Sequence, residues 1–475
     1  MFKNLAEVKT YCKENEIQFI DFKMVDLAGR WHHLTIPADR LTERTMEDGI
    51  GFDGSSYGFL TVDKSDMVFI PDLATAFVDP FVERKTLCMM SNIYTLEPTP
   101  NRFAGDPRYV SFKAEQYLKE HGIADEVLYG PELEFYIIDQ VKYRTDINHI
   151  EVHLDAEQAE WNSHTDDNNG GYAVRHHNGY HIDIPQDVNY GLRNEIVKML
   201  EDNNIPVKYH HPEVGGPGQL EIELQFGSSF EMADRTMLSK YFIKNLAYET
   251  GRVATFMPKP FYKEAGNGMH VHLMLFKEGK PLFYDENGYS QLSEVAHFAM
   301  GGILKHAPAL LAFTNPSTNS YKRLVPGYEA PVSICYATAN RSAVIRIPGY
   351  ANRPDEKRFE FRSMDATCNP YLAYSAILMA MIDGIENKID PSKEGFGPYD
   401  INLFNLTEEE AKKVKALPKS LEEAANALES DYEFLLRGNV FTEGIIKDQL
   451  KRIREDANEV SIIPHPKEFE MYFDL

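Results

Sequence analysis

Glu132 and Glu134 sit two residues apart in the run Gly130-Pro131-Glu132-Leu133-Glu134-Phe135-Tyr136-Ile137-Ile138. Its composition predicts a strand over 128–137, and two-residue spacing puts both carboxylates on one face. Like charges on one face of a buried strand repel, and a divalent cation is the compact compensation; a solvated sheet edge is the other reading of this segment alone. Glu213 and Glu221 bracket the glycine-rich turn 214–218, and Glu223 follows on the face of Glu221. Met269-His270-Val271-His272 again presents two polar side chains to one side of a strand. In Lys357-Arg358-Phe359-Glu360-Phe361-Arg362, alternation places Arg358, Glu360 and Arg362 on one face and the two phenylalanines on the other, toward a core. Further arginines follow one another at Arg323, Arg341 and Arg346. A carboxylate-rich metal cradle beside guanidinium forks suits phosphoryl transfer, whose transition state spreads negative charge over oxygens that the protein must neutralise.

Other chemistries find less support. The sequence has no G-x-x-x-x-G-K-[ST] and no G-x-G-x-x-G, so a nucleotide would be held by metals and side chains. It has no H-E-x-x-H. A glycosidase would use two carboxylates but gives no role to five arginines. With 49 Lys+Arg against 73 Asp+Glu the net charge is −24, which disfavours nucleic acid and anionic membrane surfaces. The four cysteines, Cys12, Cys88, Cys335 and Cys368, show no C-x-x-C spacing and fit a reducing compartment. The first residues lack the apolar core of a secretory signal, and a cytoplasmic location is expected.

The elements that must position these side chains are legible in outline. A chain of 475 residues with 43% apolar content allows two or three domains. A helix over 5–15, a strand over 17–25, a turn at Ala28-Gly29-Arg30 and a strand over 31–36 predict a small α+β domain. The proline-rich run 97–107 places a boundary near 105, giving domains 1–104 and 105–475. Beyond it, helices are expected at 111–120, 191–203 and 230–250, and strands at 269–276, 334–347 and 358–363. The longest apolar run, 371–382, reads as a buried helix too short to span a bilayer. The tail from 407 has helical spacing and ends in an aromatic cluster of the kind usually tied down.

Eight ordered segments make the chain resemble a bacterial or archaeal type I glutamine synthetase over essentially its whole length. They are Phe52-Asp53-Gly54-Ser55-Ser56 with Ser65-Asp66-Met67; Gly130 to Phe135; His210-His211-Pro212-Glu213 with Gln219-Leu220-Glu221; Gly268 to His272; Asn319 to Pro331; Asn340-Arg341-Ser342; Arg346-Ile347-Pro348; and Arg358 to Arg362. The resemblance implies an N-terminal β-grasp domain and a large catalytic α+β domain with a curved antiparallel sheet. It also implies ATP-dependent ligation of ammonia to glutamate through γ-glutamyl phosphate.

By motif position the resemblance assigns one metal to Glu134, Glu213 and Glu221 and a second to Glu132, His270 and Glu360, with Mg²⁺ or Mn²⁺ expected. Arg341 and Arg346 would face the phosphates, and Arg323 and Arg362 the glutamate carboxylates, with Gly266 and Asp66 also on the substrate side. Asp53 and Glu329 would form the ammonium site and move its protons, Glu329 on a flap turn over 326–331 that keeps water from the acyl phosphate. Phe226, His272 and Arg358 resemble nucleotide contacts. The implied assembly is a dodecamer of two stacked hexameric rings, with Asp53 serving a neighbouring subunit's site and the C-terminal segment reaching the opposite ring. Small regulatory proteins are a further class of partner that the sequence leaves open.

Two departures from the family pattern stand out. Phe404 occupies the place of the tyrosine that is adenylylated in some members, although 159–180 resembles the insertion of that subgroup. Ala265 stands where many members carry an asparagine, leaving the backbone of Gly266 for substrate. The rival readings are a γ-glutamyl ligase acting on a larger amine and a catalytically inactive structural or regulatory homologue.

Overall fold

A computed structural model describes residues 2–96, 101–164, 171–328, 330–400 and 414–473. Two compact units emerge: Met1–Ala114 with Leu436–Ile446, and Glu115–Leu435 with Lys447–Leu475.

In the first unit the helix Leu5–Glu14 starts at Asn4, whose side chain accepts the Glu7 N–H at 3.0 Å. The strands run in the order Trp31–Pro37, Phe19–Val25, Thr86–Thr95, Asp66–Pro71, Ile50–Asp53, and the Phe19–Val25 and Thr86–Thr95 pair is parallel. Val8 of the helix packs with Ile20, Phe22, Phe69 and Leu87 of the sheet, the core that a β-grasp unit requires.

The second unit is built on a ten-stranded curved sheet. Its main path runs Val207–Pro212, Gln219–Leu224, Glu126–Ile138, Met269–Lys277, Phe359–Phe361, Ala343–Ile347, Ser333–Thr338. Every pairing along that path is antiparallel except the last, so the antiparallel expectation is corrected at one edge. The strand expected over 334–347 is in fact these two parallel strands. Ala339 takes φ 58°, and the Asn340 carboxamide accepts from Ser342 N–H and Oγ at 3.1 and 2.7 Å, closing a turn where one strand was expected.

Apolar residues of the sheet's other face meet buried helices. Tyr129 donates its hydroxyl to the Tyr374 carbonyl at 2.8 Å, and Tyr374 lies on the helix Pro370–Glu386. That helix packs on Glu294–Thr314 through Gly302 and Gly384: a Cβ on either would stand 2.0–2.1 Å from a carbonyl oxygen of the opposite helix. The close approach of the two backbones therefore requires both glycines. No helix among the described residues is long and apolar enough to cross a membrane. The terminal aromatics Phe469, Tyr472 and Phe473 are exposed.

Candidate functional site

The registers of the large sheet bring the ionisable residues together. Glu221 pairs with Glu134, Glu223 with Glu132, and Glu132 in turn with His270. His272 pairs with Glu360, and Glu360 with Arg346. His211 stands opposite Glu221 at the other end of the row. Residues from six strands thus form one polar stripe on one side of a sheet whose other side is apolar.

A cavity of about 680 Å³ lies over this stripe, lined by Glu132, Glu134, Glu213, Glu221, His270, Gly266, Arg323, Arg341, Arg346 and Arg362. Two clusters on or just beneath its floor have ligand geometry. In each of Glu132–His270–Glu360 and His211–Glu213–Glu221, one ligand atom per residue lies within 4.8 Å of the others. Glu134 lies between them, its Oε1 3.5 Å from His270 Nδ1 and its Oε2 accepting the Gly268 N–H at 2.6 Å.

The charges are set by these surroundings. Burial, reinforced by the charges of Glu134 and Glu221, pushes the Glu213 carboxyl up to about 9. Burial and the neighbouring carboxylates, Glu132 foremost, push Glu221 well above its ordinary value. Burial opposes ionisation of Glu132, yet hydrogen bonds from His270 (2.9 Å) and His272 (3.0 Å) outweigh it and hold Glu132 well below the usual range. Glu360 is fully buried; burial again opposes ionisation, but the Arg362 guanidinium bonded to it holds the carboxyl down at about 2, and Arg346 Nη1 donates to its second oxygen at 2.6 Å.

Buried Glu213 Oε2 has no hydrogen-bond partner among the described residues. A crowded carboxylate group with an unpaired buried oxygen fits a hard divalent cation, which takes carboxylate oxygens and relieves their repulsion.

Some expected residues stand elsewhere. His272 is completely buried beneath the cavity, bonding Glu132, and Glu360 lies behind Arg346 and Arg362. Arg358 lies between Phe226 and Tyr350, its guanidinium 5.7 and 5.5 Å from the two rings, and Tyr350 joins this group to the cavity wall. Ala265 lines the cavity, and its carbonyl is held by the Tyr136 hydroxyl at 2.7 Å. Asn267 cannot stand in for a missing asparagine, because its side chain is buried between Gln219 and the Met257 carbonyl.

In the other unit, exposed Asp53 lies in register with Asp66 and accepts from Ser55 N–H, Ser55 Oγ and Ser56 Oγ at 2.7–2.9 Å. The Ser55 and Ser56 bonds hold Asp53 down at about 2. Glu329 and Phe404 lie outside the described residues. Sequence reasoning missed His211 as a cluster member, and it missed Lys208, which bonds Glu223 at 2.7 Å from the cavity wall. The two-residue spacing of His211 from Glu213 was the available signal for the first; Lys208 gave none, because a register shift between 207 and 209 brings it to the cavity wall.

Comparison with known proteins decides the family. Residues 16–96 match the glutamine synthetase beta-grasp domain, and 104–472 match the glutamine synthetase catalytic domain. The chain belongs to the glutamine synthetase family. Within it the chain is of the type I, bacterial kind. It is 48% identical over 471 residues to a glutamine synthetase of Aquifex aeolicus, covering 99% of this chain and 98% of that one. It is 47% identical over 479 residues to that of Streptomyces filamentosus, covering both chains completely. The cryoEM structure of Plasmodium falciparum glutamine synthetase superposes with a TM-score of 0.89 at 30% identity over 99% of each chain.

Proposed function

We propose that this glutamine synthetase family member is a glutamate–ammonia ligase, using ATP to form γ-glutamyl phosphate and ammonia to displace the phosphate, giving glutamine. The observation that carries the reading is the convergence of Glu132, Glu134, Glu213, Glu221 and His270 with Arg323, Arg341, Arg346 and Arg362 around one cavity. Glu134, Glu213 and Glu221 would hold one Mg²⁺ or Mn²⁺, and Glu132, His270 and Glu360 another. When bound, such ions neutralise phosphoryl and carboxylate oxygens.

Arg341 and Arg346 bind phosphate oxygens; Arg323 and Arg362, with the Gly266 backbone and Asp66, orient glutamate. Phe226, Arg358 and His272 belong to the nucleotide end. Asp53, supplied by a neighbouring subunit, and Glu329 bind ammonium and remove its proton. The flap over 326–331 excludes water from the acyl phosphate. A dodecamer of two hexameric rings, with a domain boundary near residue 105, completes the proposal.

Phosphate release with ammonium, ethylamine and a polyamine as alternative acceptors tests it. Ammonium is the expected preference, with glutamine as product. A clear preference for the bulky amine rejects the ligase assignment in favour of a γ-glutamyl ligase, and no turnover with any amine favours the inactive homologue.

A further inference from the structure

A further group of side chains of metal-ligand type lies apart from the carboxylate-rich floor. His176, His177 and Glu264 each offer a ligand atom within 4.8 Å of the others. His176 Nδ1 bonds Glu264 Oε1, His177 Nδ1 is 3.8 Å from Glu264 Oε2, and the His177 backbone N–H donates to Glu264 Oε1 at 3.1 Å. The Glu264 side chain is 4% exposed, whereas the imidazole side chains are 47% and 34% exposed. A fixed, buried anion is therefore presented to two reachable nitrogens. A cavity of about 370 Å³ opens beside them, lined by His176 and Glu264 together with Glu160 and Trp161.

We propose that His176, His177 and Glu264 bind a borderline divalent ion of the zinc class, at a site separate from the ions used in ligation. Two imidazoles and one carboxylate are three protein ligands of the kind that leave a fourth position open, here toward the cavity. Imidazole nitrogens rank this site for zinc over magnesium, which demands oxygen. Bond lengths of about 2.1 Å in a tetrahedron put ligand atoms about 3.4 Å apart, and the three ligand atoms here already lie within 4.8 Å of one another. Coordination through Nδ1 of His176 moves its proton to Nε2, with no change in the charge of the ring.

The site is joined to the large cavity. Glu264 precedes Ala265 and Gly266 of the cavity wall, and its carbonyl accepts from Lys259 Nζ. That ammonium sits 3.7 Å from the centre of the Tyr328 ring, and the His177 ring lies 5.6 Å from the same tyrosine. An ion holding Glu264 and His177 together therefore braces the loop and Tyr328, and shifts the KM for glutamate several-fold. That consequence rests on the reading of the large cavity as the glutamate site; the ion site itself does not.

The test is zinc binding to the full-length protein kept saturated with Mg²⁺, followed by equilibrium dialysis and zinc-edge X-ray absorption. The expected result is one retained zinc per chain with two imidazoles in its first shell, and at least a tenfold loss of affinity in H176Q and E264Q. Among the described residues, each other candidate cluster contains one histidine. Zinc with one imidazole or none, or equal retention by H176Q, overturns the proposal. If the variants fail to fold, the imidazole count in the parent protein decides alone. Failure of ligation with ammonium leaves this readout intact, so the two outcomes are separable.

Discussion

Loading the carboxylate site with Mn²⁺ at different pH values should release protons in a number fixed by the geometry. Glu213 is held up at about 9 by burial and by the charges of Glu134 and Glu221. At pH 7, two units lower, about 99% of it carries a proton in the metal-free protein. Glu221 is raised in the same direction, by burial and then by Glu132 and Glu134. A cation bound by these carboxylates requires them ionised, so each Mn²⁺ displaces about one proton from Glu213 and up to one more from Glu221. The apparent affinity then rises about tenfold per pH unit for each proton released, or about 100-fold or more between pH 6 and pH 8.

The linked stability has a definite sign. A carboxyl whose folded value is raised contributes stability below its unfolded value of 4.5 and loses it as pH climbs toward about 9. The metal-free protein therefore weakens by about 1.4 kcal/mol per pH unit across that window through Glu213, and Glu221 adds a slope of the same sign. Saturating Mn²⁺ removes the slope. Titration calorimetry in buffers of different ionisation enthalpy counts the protons, and thermal melts with and without Mn²⁺ measure the slope. Proton-neutral binding with an affinity constant from pH 6 to pH 8 would refute the reasoning.

Three further perturbations are direct. Glu360→Gln leaves Arg346 and Arg362 facing an uncharged group in a fully buried position; it should cost about 3–5 kcal/mol, read as a lower urea midpoint, and an unshifted midpoint would show that the pair carries no stability. Asp53→Ala should spare ATP and glutamate binding, measured calorimetrically, while cutting glutamine synthesis; unchanged turnover removes Asp53 from the reaction. Burial opposes charging of His306, but hydrogen bonds to Asp383 (2.9 Å) and Asp431 (2.8 Å) prevail and raise its pKa. Stability from this triad is thus complete below the ordinary histidine value and lost as pH rises through the folded one, and His306→Gln should flatten that dependence in pH-resolved denaturation.

What could be read from the sequence follows from the range of each interaction. Alternation is local, so the shared faces of Glu132 with Glu134, and of Arg358 with Glu360 and Arg362, were visible before any fold was known. The division of 334–347 was not: an Asn-Arg-Ser turn depends on one side chain closing on its own backbone, and the flanking residues have strand composition on both sides. Cross-strand register was equally out of reach. Nothing in the spacing says that His272 turns beneath the cavity to hold Glu132, or that Lys208 on one edge strand neutralises Glu223 on the next. The meeting of His176 with Glu264 spans 88 residues and involves an irregular segment with no periodicity to extrapolate.

The register itself explains why this stripe survives in a folded core. Glu221 beside Glu134, Glu223 beside Glu132, and Glu360 between His272 and Arg346 place ionisable groups on successive strands at sheet spacing. Directly opposed like charges destabilise a sheet, and buried ones do so more. The structure offsets part of that cost at one end, where His270, His272, Arg346 and Arg362 surround Glu132 and Glu360 and depress both carboxyls. At the other end Glu213 and Glu221 face other carboxylates, and both are raised. A sheet selected for stability alone would carry apolar residues at those positions, as its opposite face does. The asymmetry therefore marks the Glu134–Glu213–Glu221 end as the place where an external cation contributes most to both folding and chemistry, and the Glu132–Glu360 end as preorganised without one.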